Sequence, residues 1–94
     1  MPTIVTEGPF RVLILNPPRE HGPAHVHVVR GRGAGESEVL VGLGQPEIPG
    51  APWESVSIRE VRGMRDGDVV AAVLLVQQHL ATLRQRWREI HGEG

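Results

Sequence analysis

Two histidines separated by one valine are the residues of this sequence best suited to chemistry. His25 and His27 open the segment His25-Val-His-Val-Val-Arg30, in which polar and apolar residues alternate as they do in a half-buried strand. On a strand, side chains two residues apart point to the same side, with origins roughly 7 Å apart. Two imidazoles placed in this way could ligate one divalent metal, or act on one phosphate as general acid and general base.

Three further residues could complete a metal site around the two histidines. Glu20 and His21 lie in the loop just before the predicted strand and could supply a third ligand or an orienting partner. His91, near the C-terminus, could fold back to the same face. The predicted metal set is therefore His25, His27, His21 and Glu20, with His91 as a further ligand, and the metal would be Zn, Mn, Ni or Fe.

A metal-free or metal-dependent hydrolytic site would also need a cation to stabilise charge on a phosphate. Arg30 ends the His-Val segment and Arg32 follows in a glycine-rich turn, so either guanidinium could serve. The predicted catalytic set is His25, His27 and Arg30. The same His-x-His pattern also suits two polar residues on a solvent-facing strand surface or in a hydrogen-bond network, and the sequence leaves these interpretations open.

The elements that must position these residues are few. Apolar runs and turn residues predict strands over 10–15, 25–30, 37–43 and 53–61. A helix is predicted over 67–91, because apolar residues recur there at alternating steps of four and three: Val69, Val73, Val76, Leu80, Leu83, Trp87 and Ile90. We therefore expect one α+β domain over 1–94, a small antiparallel meander of three to four strands with one long C-terminal amphipathic helix packed on it.

Composition argues against a membrane protein and does not favour a nucleic-acid-binding one. The chain has 94 residues and a formal net charge of −1, so no strong field favours nucleic acid or an anionic membrane. The longest apolar run, Val69–Val76, has eight residues, against the roughly 18 that a transmembrane helix needs. There is no cysteine and no signal-peptide pattern, so we expect a cytoplasmic protein.

Several segments carry a resemblance to a known family. They are Met1-Pro-Thr-Ile4, Phe10-Arg11, Glu20-His21, Pro23-Ala-His-Val-His-Val28 and Trp87-x-x-Ile-His-Gly92. In these the chain resembles a family of small prokaryotic proteins, domain of unknown function 4160, which has a P-P-H-V-H-V signature. The likeness runs from Met1 to Gly92, with Ala24 where the family usually has its second proline.

The resemblance implies a small intracellular protein with a partner and no established activity. Genes of the family often lie beside another small domain, which implies a toxin–antitoxin-like pair. We therefore expect an interaction or regulatory protein, and the resemblance implies that it forms one half of such a pair with a small protein encoded nearby. The alternative is a small phosphoester hydrolase, nuclease-like, that uses His25 and His27 with a metal or as acid and base. A structural homodimer is the second alternative. A homodimer is also expected for an enzyme, because so small a domain forms a concave pocket most readily between subunits.

Overall fold

The chain folds into one antiparallel sheet followed by two helices, in a computed structural model that describes residues 3–15, 23–31 and 35–92. The strands are β1 (Thr3–Glu7), β2 (Phe10–Leu13), β3 (His25–Arg30), β4 (Ser37–Gly42) and β5 (Ser57–Arg62). The helices are α1 (Asp66–Gln78) and α2 (Leu80–His91). The strands pair in chain order, so the sheet is a meander with β1 and β5 at its two edges.

The predicted α+β class is confirmed, but the predicted three to four strands are wrong because the sheet has five. β1 was not predicted, since a strand this short, with only Ile4 and Val5 as apolar residues, shows no alternation. The strand predicted over 53–61 starts later, at Ser57, because the preceding segment is tied down as a loop: the Glu54 N–H donates to the Gly44 carbonyl at 2.7 Å. β3 has the predicted bounds.

The single long helix predicted over 67–91 is also wrong, because the helix is interrupted at His79. His79 has φ −111° and ψ 19°, outside the helical region, and its N–H is shared between the carbonyls of Leu75 and Val76. The apolar spacing runs through this point and the sequence has no proline or glycine there, so no local signal marks the break. Neither helix in the described ranges is long and apolar enough to cross a membrane.

The core lies between the sheet and the helices. Strand pairing places Val12, Val28 and Val39 side by side on one face of the sheet, and all three are fully buried. Ala72 and Val76 of α1 pack against this face, as the helix-on-sheet prediction requires. Further along the chain, Leu83 and Trp87 bring α2 into the same cluster.

The opposite face of the sheet, which we call the far face, carries the histidines. His25, His27 and Val29 alternate with the core valines along β3 and therefore share this face. All three are buried, and so is Leu13 of β2, which pairs with His27. Strand β2 therefore has buried side chains on both faces of the sheet, Val12 on the helix side and Leu13 on the far face. The histidines therefore belong to an enclosed surface and not to a solvent-facing one.

Candidate functional site

The histidine pair lies where the sequence predicts, on one side of one strand. The side chains of His25 and His27 have their ring centroids 5.4 Å apart, with the ring planes inclined at 60°. Only 4% of His25 and 7% of His27 is exposed. A polar group buried this far must be hydrogen-bonded to avoid a large desolvation cost. The contacts of the two rings therefore decide what the pair can do.

His27 is held by a carboxylate from the neighbouring strand. Its Nδ1 lies 2.7 Å from Oε2 of Glu38, which the β3–β4 register places diagonally across from it. The other carboxylate oxygen of Glu38 accepts from Nη1 of Arg62 at 2.9 Å, and Arg62 lies directly opposite Glu38 on β5. Arg62 also donates to Glu60, and this hydrogen bond, the charge of Glu60 and the carboxylate of Glu38 raise the pKa of Arg62. A polar chain therefore joins His27 to the edge strand.

His25 is held by a backbone carbonyl. Its Nδ1 lies 2.9 Å from the carbonyl oxygen of Pro23, and Nη1 of Arg59 lies 3.5 Å from each of these two atoms. A carbonyl oxygen can only accept, so the short contact requires the proton on Nδ1 of His25. In the neutral ring the lone pair then resides on Nε2. The same tautomer follows for His27, because an ionised carboxylate accepts only.

His91 does not join the pair, although it comes close. Its ring stacks on Trp87 with centroids 3.9 Å apart, and Trp87 in turn lies 5.4 Å from the ring of His25. Nε2 of His91 donates to the Leu15 carbonyl at 2.7 Å. In this position His91 ties the end of α2 to the chain just after β2.

The structure does not bring Arg30 to the histidines. Arg30 is an even-numbered residue of β3, so its side chain leaves the sheet on the helix side. Its guanidinium there pairs with Asp68 in the first turn of α1, with Nη1 and Oδ2 2.7 Å apart. Glu20, His21 and Arg32 lie outside the described residues.

Three residues of the site were not predicted from the sequence: Glu38, Arg59 and Arg62. Glu38 could have been found from the predicted antiparallel strands 25–30 and 37–43, because the register of such a pair fixes which residues lie beside each histidine. Arg59 and Arg62 carried no such signal, because their strand was predicted with different bounds.

The chemistry of the pair is that of two oriented imidazoles. Metal-binding histidines almost always donate the other ring N–H to a carboxylate or a backbone carbonyl, and here Glu38 and Pro23 are such acceptors. Within the described part of the chain no three histidine or carboxylate groups are placed to hold a metal together. The predicted metal therefore stays a prediction.

Comparison with known proteins adds no relative. The chain matches no model of a protein family, no curated protein and no solved structure. The resemblance described above therefore stays a prediction, and the function has to be argued from the geometry.

Proposed function

We propose that this chain is an interaction protein that pairs with a second copy of itself along the outer edge of β5. The exposure of this strand carries the proposal. All six residues of β5 are exposed, including Ile58 at 53% and Val61 at 46%. Since β5 ends the sheet, no strand of the described chain pairs with the backbone groups of its outer edge.

The other sheet edge is a poorer candidate. On β1 the two apolar residues, Ile4 and Val5, are partly buried and pack against the core. On β5, Ile58 and Val61 pair with the buried Val41 and Val39 and so face the helix side. Both nevertheless stay exposed, which means that the helices do not cover this edge of the sheet.

Charge complementarity selects a second copy as the occupant. If two β5 strands pair antiparallel about a two-fold axis at Val61, each Glu60 lies opposite Arg62 of the other copy. A shift of the register by two residues in one direction places Glu60 opposite Glu60 of the other copy. A shift by two residues in the other direction places Arg62 opposite Arg62. Charged residues on an edge usually repel an added strand, but here one register turns them into opposite-charge pairs.

The same symmetry would bury the apolar side of the edge. A two-fold axis perpendicular to the sheet keeps the helix side of both copies on the same side. The two Val61 side chains would then meet at the axis on the helix side, where the paired strands overlap over residues 60–62. Two five-stranded sheets would become one continuous sheet, which removes an exposed edge from each copy.

Sedimentation velocity over a wide concentration range tests this proposal. We expect the wild-type chain to dimerise and Val61→Lys to be monomeric, because the substitution places two ammonium groups face to face at the axis. Ile48→Lys is the matched control: Ile48 is 72% exposed in a loop, and its replacement should leave the dimer intact.

Charge reversal tests the register itself. Glu60→Arg and Arg62→Glu should each weaken the dimer, and the double variant should restore it. A wild-type chain that stays monomeric at every concentration, or a Val61→Lys variant that still dimerises, would overturn the proposal. Failure of the double variant to recover would overturn the register.

The regulatory part of the expected function stays a prediction. No observation on the described residues concerns a toxin–antitoxin-like pair, a small partner protein encoded nearby or a cytoplasmic location. A partner that binds along the β5 edge would compete with the second copy. The dimer measurement is therefore the first step toward that question.

A phosphoester hydrolase is the second candidate, and the orientation of the histidines favours it. Nδ1 of His25 lies against a backbone carbonyl and Nδ1 of His27 against a carboxylate, which is how metal-binding and acid–base histidines are commonly oriented. Arg30 does not belong to this site, because it pairs with Asp68 on the other side of the sheet. In this candidate function, Arg59 is the arginine of the described residues that lies beside His25 and would stabilise charge on a bound phosphate.

Metal content of protein purified without an affinity tag tests this candidate. We expect near-stoichiometric Zn, Mn, Ni or Fe in the wild type, and its loss in His25→Gln/His27→Gln. His79→Gln, which alters a half-buried histidine at the helix break, is the control that should retain the metal. Wild type without metal after incubation with each of the four ions, and without activity on a nitrophenyl phosphodiester, would contradict the candidate.

A further inference from the structure

A separate concavity lies between the loop that follows β4 and the C-terminal end of α2. It is open to solvent and has a volume of about 700 Å³, which falls within the range of small-molecule sites. Pro23, Pro46 and Pro49 form much of its apolar wall, and Trp53 and Arg88 line it as well. Glu47 brings a carboxylate to the same wall. The histidine pair does not line this cavity.

Arg84 of α2 fixes the loop that forms the cavity. Its Nε donates to the Leu43 carbonyl at 3.0 Å and its Nη2 to the Glu54 carbonyl at 2.7 Å, so one guanidinium clamps both ends of the loop. Between them, the Glu54 N–H donates to the Gly44 carbonyl. Trp53 is therefore held in place by hydrogen bonds to its neighbours, and the cavity is a built feature of the fold.

Arg88 is the cation available to a ligand in this cavity. Its guanidinium carbon lies 4.9 Å from the centre of the Trp53 ring, and Arg84 lies 5.2 Å from the same ring. Arg84 donates its hydrogen bonds to carbonyl groups of the loop. Arg88, by contrast, is paired with no carboxylate of the described residues. Arg86, on the same helix, is engaged by Glu89 at 2.7 Å.

The two arginines repel each other. Partial burial lowers the pKa of Arg84, and the charge of Arg88 lowers it further. The negative end of the α2 dipole offsets part of this cost. A bound anion would offset more, because it would pair with Arg88, which forms no ion pair with a carboxylate of the described residues.

We infer that this cavity binds a small monocarboxylate with an apolar body, its carboxylate paired with Arg88 and its body against Trp53 and the prolines. A guanidinium matches a carboxylate in a bidentate hydrogen-bonded pair. The proline and indole surfaces suit an apolar group. Glu47 also lines the cavity and repels negative charge, and this repulsion is about twice as large for a phosphate dianion as for a monocarboxylate, so the dianion should bind less well.

Nuclear magnetic resonance of the indole N–H groups tests the assignment, with benzoate as the probe. The chain has two tryptophans, so Trp53→Phe assigns the Trp53 signal by its disappearance. We expect benzoate to shift the Trp53 signal saturably, and benzyl alcohol, its neutral analogue, not to do so. Arg88→Gln should weaken benzoate binding about tenfold or more, and Arg86→Gln should leave it unchanged.

Two results would overturn the inference. One is an Arg88→Gln variant that binds benzoate as tightly as the wild type does, which would remove Arg88 from the site. The other is inorganic phosphate shifting the Trp53 signal with equal affinity, which would show a general anion site and not one for monocarboxylates. Arg88 is half-buried but makes no hydrogen bond that holds the loop, so its replacement should not unfold the chain.

Discussion

His27 and Glu38 form the most consequential single contact on the far face. Their hydrogen bond is 2.7 Å long, and the side chains are only 8% and 19% exposed. Hydrogen bonds to charged groups contribute about 1.5–3 kcal/mol, and the cost rises when one buried partner is left behind. A histidine pair on a solvent-facing strand would have no such dependence on one carboxylate.

Replacing Glu38 by glutamine should therefore measure how much this contact stabilises the fold. We expect Glu38→Gln to lower the free energy of unfolding by about 1.5–3 kcal/mol in urea denaturation, because the amide removes the charge that His27 and Arg62 meet. Glu36→Gln is the control. Glu36 is 43% exposed and pairs with the partly exposed Arg11, so its loss should cost less than about 0.5 kcal/mol. Equal losses in the two variants would mean that the far-face network contributes nothing of its own.

At the scale of elements, the loop between β4 and β5 has the strictest backbone requirement. Gly44 has φ +84° and Gly50 has φ +85°, both in the left-handed region that favours glycine. A Cβ on Gly44 would overlap the Glu54 carbonyl oxygen, whereas one on Gly50 would meet nothing within 4 Å. The two glycines thus have nearly the same φ angle, whereas the space around them differs.

Alanine at each position separates conformational strain from the steric requirement of the loop. Gly50→Ala should lower the free energy of unfolding by about 1–2 kcal/mol, because an L residue is strained in the left-handed conformation. Gly44→Ala should cost about 1–3 kcal/mol more, because the clash must push the loop away from its closing hydrogen bond. Thermal unfolding of both variants checks this. A Gly44→Ala variant no less stable than Gly50→Ala would show that the loop can move without loss.

Elements were predictable where their signal is local. The alternation of polar and apolar residues over His25–Arg30 predicts the bounds of β3. The apolar spacing of the C-terminal third predicts that this part of the chain is helical. β1 could not be recognised, because pairing with β2 makes it a strand and its own pattern does not. The helix break at His79 could not be predicted either, because the apolar spacing continues across it without a proline or glycine.

Across the whole molecule, the histidine pair occupies a central position between the two proposed binding regions. On one side, His25 meets the carbonyl of Pro23, a residue that also lines the cavity beside Trp53. On the other side, His27 reaches the β5 edge through Glu38 and Arg62. The proposed dimer edge and the proposed carboxylate cavity share no residue, so the Val61→Lys and Arg88→Gln tests report on them separately.

The sequence by itself determined the fold class, the strand that carries the histidines and their placement on one side of it. These follow from periodicity, a property of neighbours along the chain. Only the tertiary structure decided which partners the side chains have. Strand register brought Glu38 to His27 and helix packing took Arg30 to Asp68. Such pairings join residues far apart in the chain, and no local pattern encodes them, because they depend on how whole elements align and pack.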